Sequence, residues 1–221
     1  MNNYNKIILL HAVDKSTVFL SKFEEEFRGY YHSFNSENDS IHKAKELIAD
    51  LEPKSLIIYL GHGNSSKLYE PDERGEYKKN FLDATKANFL FEDHDIFLLS
   101  CRSNDFIKKI YNSNYSIGFG NIISSKEELD HENRYNDIKK VLTEEEISQF
   151  NQIYVNCSIK IIKKLVKEKI IFQDIPKCFR YYINKEINKI LLNKANNNRV
   201  ELARLLFEFR NQIGFKFNPK Y

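Results

Sequence analysis

Apolar residues fall in short dense runs over the first half of the chain and at helical spacing over the second. Residues 6–13 form a run of Ile, Leu and Val read as a buried strand. Asp14 or Ser16 offers an N-cap for a helix through Phe27, with Val18, Phe19, Phe23 and Phe27 roughly on one face. Gly29 breaks it, and residues 30–34 read as a second strand. Asp39 or Ser40 caps a helix over 41–51 that stops before Pro53. Residues 55–60 are the third strand and run into Gly61-His62-Gly63. A turn-rich stretch through Pro71 and Gly75 precedes a helix over 81–89. Residues 95–100 form the fourth strand and deliver Cys101. A helix over 106–111 and a fifth strand over 115–124, interrupted by Gly118 and Gly120, follow. Strands alternating with helices predict an α/β fold with a mainly parallel sheet flanked by helices.

Past Ser125 the period changes. Residues 143–155, 158–171, 179–192 and 199–213 each space apolar residues three or four apart, as in Ile183, Ile187 and Ile190. Pro176 and Asn196-Asn197-Asn198 punctuate them. The expected organisation is an α/β domain over 1–126 with a helical region, 127–221, packed on it.

Composition sets limits on function. At 221 residues, 42% apolar and 14% aromatic, the chain can build a sizeable core. No stretch approaches the ~20 apolar residues of a membrane span, and the run at Ile7 to Leu10 is too short for the core of an export signal. A cytoplasmic location is the expectation. Three cysteines, Cys101, Cys157 and Cys178, are an odd number without CxxC or zinc-ligand spacing, which argues against a disulfide framework. Neither a metal nor a cofactor is expected. Charge is unevenly divided: residues 151–221 carry 15 Lys and Arg against 5 Asp and Glu, whereas 1–150 carry 19 against 26. A basic end of this kind fits nucleic acid or a membrane surface, but a solvated helical face fits better.

Two consecutive apolar strands end in reactive residues. In open parallel sheets, ligands gather beyond the carboxyl ends of the strands. One strand ends Leu60-Gly61-His62-Gly63, the other Leu99-Ser100-Cys101-Arg102-Ser103. If the strands are neighbours and parallel, His62 and Cys101 share a sheet edge. A cysteine nucleophile acts as thiolate, which a nearby imidazole can generate. Acyl transfer also needs donors for the developing oxyanion; the backbone N–H groups of Gly63 and Cys101 are candidates. By geometry alone, a structural histidine and a buried cysteine remain an equal alternative.

These residues resemble the caspase-like cysteine peptidases, especially their CHAT branch. Caspases place His-Gly on one strand end and a Gln-Ala-Cys-x-Gly on the next, with the histidine about 50 residues upstream; here Cys101 follows His62 by 39. The segment from Ser116 to Ser124 is similar to the family strand that flanks the substrate. The likeness covers roughly residues 5–126, and only the two short motifs are specific. It implies a caspase-like fold and a thiol protease, a hydrolase of peptide bonds with a His62/Cys101 dyad and a protein substrate, acting in bacterial defence or regulated proteolysis. Leu99 stands where caspases have glutamine and metacaspases aspartate, so neither cleavage preference carries over. Asp14 could instead face the primary pocket and favour Lys or Arg. Lys126 could favour an acidic residue, with Ser124 and Ser125 beside it. An ordinary cap or surface charge is the plainer reading of either residue. Only Arg102 to Asn114 separate Cys101 from the fifth strand, which leaves no long linker to be cut. Control then falls to a regulatory partner protein, a ligand or the helical region.

The rival reading is a non-catalytic caspase-fold or Rossmann-like module that binds a partner protein or nucleic acid. A nucleotide-binding enzyme fits less well, because there is no GxGxxG after the first strand and no GxxxxGK[ST]. A cysteine phosphatase needs an arginine six after Cys101, where Ile107 stands. The G-x-S-x-G serine elbow is also absent.

Overall fold

The computed structural model describes residues 4–135 and 139–218. Five strands, β1 (Ile7–Ala12), β2 (Tyr31–Phe34), β3 (Leu56–Leu60), β6 (Asp95–Leu99) and β7 (Tyr115–Gly118), form a parallel sheet in the order β2-β1-β3-β6-β7. A last strand, β8 (Gly214–Phe217), adds to β7 antiparallel. A separate hairpin pairs β4 (Lys67–Tyr69) with β5 (Asn80–Asp83). The fold is α/β with a mostly parallel, helix-flanked sheet, as the apolar pattern predicts.

Every residue of β3 and β6 is buried. That explains the apolar runs over 56–60 and 96–99: a strand covered on both faces has no polar side to alternate with. Each of these apolar side chains contributes about 1.5–3 kcal/mol by leaving water, whereas Asp95 at the start of β6 does not. On one face Ile57, Tyr59, Ile96 and Leu98 meet Ile41, Ala44 and Ile48 of α2 (Asn38–Ala49). The strand order reverses direction between β1 and β3. This is the switch point where doubly wound sheets open a crevice at their carboxyl edge.

The chain divides into two compact units, one made of the chain up to Gly120 together with the segment from Ile213, the other Asn121–Gln212. The second unit holds α5 (Lys126–Tyr135), α6 (Glu144–Val166), α7 (Ile175–Leu192) and α8 (Arg199–Asn211). A capping box opens α6, with the Thr143 hydroxyl accepting from Glu146 N–H and the Glu146 carboxylate accepting from Thr143 N–H. Phe209 of α8 is its aromatic centre, with ring centroids 5.9, 5.2 and 6.3 Å from Phe150, Tyr154 and Phe179.

Several elements differ from expectation, each for a local reason. The helix sought over 14–27 is a turn at Asp14–Thr17, a 3-10 segment (Val18–Ser21) and a short α1 (Lys22–Phe27), because the Asp14 side chain folds the turn around itself. Phe81 and Leu82 are buried in β5, and helix α3 (Ala84–Leu90) begins only after Asp83, whose side chain accepts from Lys86 N–H. The fifth strand ends at Gly118 rather than Ser124. Residues beyond it turn toward the segment after Cys101, where Phe119 O and Gly120 O accept from Asn104 and Arg102 N–H. The two helices expected over 143–171 are one, since the buried Ser158 hydroxyl donates to Tyr154 O inside the helix and no Gly or Pro interrupts it. The end of the chain is not all helix, because β8 belongs to the sheet. Among the described residues, no helix is long and apolar enough to cross a membrane.

Candidate active site

The register of β3 and β6 sets Leu60 opposite Leu99. Each strand then leaves the sheet, so that His62 and Cys101 each stand two residues beyond a directly paired position. Gly61 N–H still donates to Leu99 O at 3.3 Å. A Cβ on Gly63 would lie 2.9 Å from Ser100 Oγ, which presses the two strand ends together where only glycine fits. The Gly63 N–H makes no hydrogen bond among the described residues, as an oxyanion donor requires.

Cys101 is half-buried and opens a sharp turn into α4 (Ser103–Phe106). Arg102 adopts the left-handed conformation at φ 52°, and its N–H donates to Gly120 O. The buried Ser103 hydroxyl donates to Leu98 O and Ser100 O, each at 2.8 Å, and accepts from Phe119 N–H. The turn is thereby tied to both β6 and the segment after β7, which fixes where the thiol leaves the sheet.

His62, with 13% of its side chain exposed, is held from the β1 side. Its Nε2 lies 2.6 Å from Ser16 Oγ and 2.9 Å from Tyr77 Oη. The Tyr77 ring covers the imidazole at a centroid distance of 4.2 Å. Ser16 Oγ donates to Asp14 Oδ1 at 2.7 Å and lies 2.9 Å from Tyr77 Oη. Asp14 is 1% exposed, and its oxygens also accept from the N–H groups of Ser16, Thr17 and Asp72. Burial alone would raise its pKa, but His62, Ser16 and the Asp72 N–H outweigh it and hold the carboxyl at about 2. His62 Nε2 and Asp14 Oδ1 are 3.7 Å apart, ionic neighbours rather than hydrogen-bond partners, so the direct link runs through Ser16.

Ser16 is no serine nucleophile. In a Ser-His-Asp triad the two partners occupy different ring nitrogens, whereas here Ser16 and Asp14 both lie at Nε2. Tyr77 is brought in by a loop folded on Asp72, whose carboxylate accepts from the N–H groups of Arg74 and Tyr77. Tyr77 itself takes a positive φ of 44°.

The other pocket residues are elsewhere engaged. Asp14 is enclosed behind His62, 1% exposed and 3.7 Å from its Nε2. Ser124, Ser125 and Lys126 belong to the helical unit and start α5 instead of ending β7. Ser124 N–H and hydroxyl both donate to Glu128, Ser125 Oγ accepts from Glu128 N–H, and Lys126 pairs with Asp130 at 2.8 Å. Ser16 and Tyr77 are the site residues that the sequence did not disclose. Ser16 reads only as a helix cap, and Tyr77 sits in a polar stretch with no motif. Comparison with protein-family models, curated proteins and solved structures found no match to this chain.

Proposed function

We propose that the chain is a cysteine endopeptidase of the caspase-like, CHAT-type kind, with Cys101 as nucleophile and His62 as its base. The observation that carries this reading is the placement of both residues at the carboxyl ends of adjacent, in-register parallel strands, next to the switch point of the sheet. In the first half-reaction the Cys101 proton passes to His62, and the thiolate adds to the scissile carbonyl carbon. The oxyanion that forms takes hydrogen bonds from the Gly63 and Cys101 N–H groups. The C–N bond then breaks, with His62 returning its proton to the leaving amine. A water molecule, deprotonated by His62, attacks the thioester and frees the acid and the thiol. Since Asp14 is enclosed, cleavage preference rests on other residues than this carboxylate.

The test is hydrolysis of a mixture of denatured proteins and fluorogenic peptides by the full chain, read by mass spectrometry of the new termini. New termini that vanish with both Cys101→Ala and His62→Ala support the reading. Cleavage that persists in Cys101→Ala, or none under any condition despite a folded chain, sinks it in favour of a non-catalytic binding module.

A further inference from the structure

We propose that Asp14 and Ser16 are positioning residues that fix His62 as the tautomer protonated on Nε2, leaving Nδ1 as its basic nitrogen. The role as base rests on the peptidase reading; the tautomer does not. The argument is a count of protons. Asp14 is an ionised carboxylate and can only accept. Ser16 has a single hydroxyl proton, and at 2.7 Å it is committed to Asp14 Oδ1. The Ser16 oxygen is then left with lone pairs alone, so the imidazole nitrogen 2.6 Å away must be the donor. A neutral imidazole carries one N–H. Its placement on Nε2 leaves the lone pair on Nδ1, which makes no hydrogen bond among the described residues.

The groups that face the ring agree. Tyr77 Oη, near both Nε2 and Ser16 Oγ, can donate to the serine oxygen without contesting the Nε2 proton. Tyr69 N–H donates to the His62 carbonyl at 3.0 Å and so fixes its backbone. Tyr69 packs against Tyr77 at a centroid distance of 5.7 Å and braces it from the far side. Among the described residues, Asp14 is the charged group paired with the ring, 3.7 Å from Nε2. It is placed to stabilise the imidazolium that forms once Nδ1 takes the thiol proton, without taking a proton itself. With Ser16 removed, Nε2 loses its acceptor while the Tyr77 hydroxyl remains. That hydroxyl can accept from Nε2–H or donate to a bare Nε2, so the ring proton is no longer confined to Nε2 and only part of the base stays available.

The experiment uses the full chain labelled with 15N, with the His62 signals assigned by their loss in His62→Gln. Expected at pH 7.5 is a pyrrole-type shift for Nε2 and a pyridine-type shift for Nδ1, with both moving toward intermediate values in Ser16→Ala and returning in Ser16→Thr. Alkylation of Cys101 by iodoacetamide should fall at least about twofold in Ser16→Ala, as the ring divides between two tautomers, and recover in Ser16→Thr. A proton on Nδ1 in the natural chain, or an unchanged tautomer in Ser16→Ala, overturns the proposal. If the tautomers behave as expected but Cys101 alkylation is the same in His62→Gln, the positioning stands and the peptidase reading falls.

Discussion

Gly118 in β7 and Ser103 in α4 meet backbone to backbone: a Cβ on Gly118 would lie 2.4 Å from the Ser103 carbonyl carbon and oxygen. No side chain there could swing aside, so the added methyl must push the turn that follows Cys101. Gly118→Ala should therefore destabilise the chain by about 1–3 kcal/mol and slow Cys101 alkylation together. Urea unfolding and mass spectrometry of the labelled thiol measure the two effects. A variant with an unchanged urea midpoint would show that the contact is not as tight as described.

The three thiols should be sharply ranked. Burial pushes the Cys157 thiol up to about 12, with Glu186 adding to it, and burial also raises Cys178. Both are held in the unreactive protonated form at neutral pH. A brief pulse of iodoacetamide should label Cys101 first by at least about tenfold, and His62→Ala should erase much of that lead. Equal labelling of all three would leave no special environment at Cys101.

A second carboxyl answers to pH in the opposite sense to Asp14. Burial raises Asp95 to about 6, against the pull of hydrogen bonds from Tyr4 Oη and Tyr115 N–H. A carboxyl whose folded pKa lies above its unfolded value of ~3.9 favours the fold when protonated. Its ionisation costs stability above about pH 6, and that cost fades as the pH falls toward 4. His11, lowered to about 4 by burial, works the other way over the same range, so the natural chain's profile alone is not diagnostic. Asp95→Asn should gain on the natural chain at pH 7 and lose most of that advantage by pH 4.5. A constant difference in urea midpoint across that range would contradict the assignment.

Shortening the chain to end at Gln212 removes β8, whose Phe215 and Phe217 stack on Tyr115 at centroid distances of 6.1 and 4.8 Å. The unpaired edge of β7 is then a template for another chain. The shortened protein should elute partly as aggregate in size-exclusion chromatography and melt at a lower temperature. A monomer of unchanged melting temperature would show that β8 is dispensable.

What was legible in the sequence follows from how far apart the partners lie. Residues 56–60 and 96–99 announce themselves because a strand buried on both faces favours apolar residues throughout; Asp95, at the start of β6, is the exception. His62 and Cys101 were readable because each directly follows such a strand. Ser16 and Tyr77 were not: two separate segments bring them to His62, and nothing local distinguishes them from a cap and a turn residue. Helix α5 escaped notice because Leu129 is its one buried side chain, which leaves no stripe to detect. In β8, four residues of which two are exposed phenylalanines resemble a tail. Only the partner strand reveals their role.

Gly118 and Gly214 stand opposite each other at the open end of the β7–β8 pair. Topologically, everything between them is the connection of one antiparallel hairpin. The inserted helical unit closes on itself, for Asn121 N–H donates to the Gln212 side chain at 2.9 Å. A folded insert whose two ends already meet spares the hairpin most of the closure entropy that a slack loop of the same length would cost. Such a segment has the geometry of a cassette, because its two ends meet at one place whatever the length of chain between positions 121 and 212.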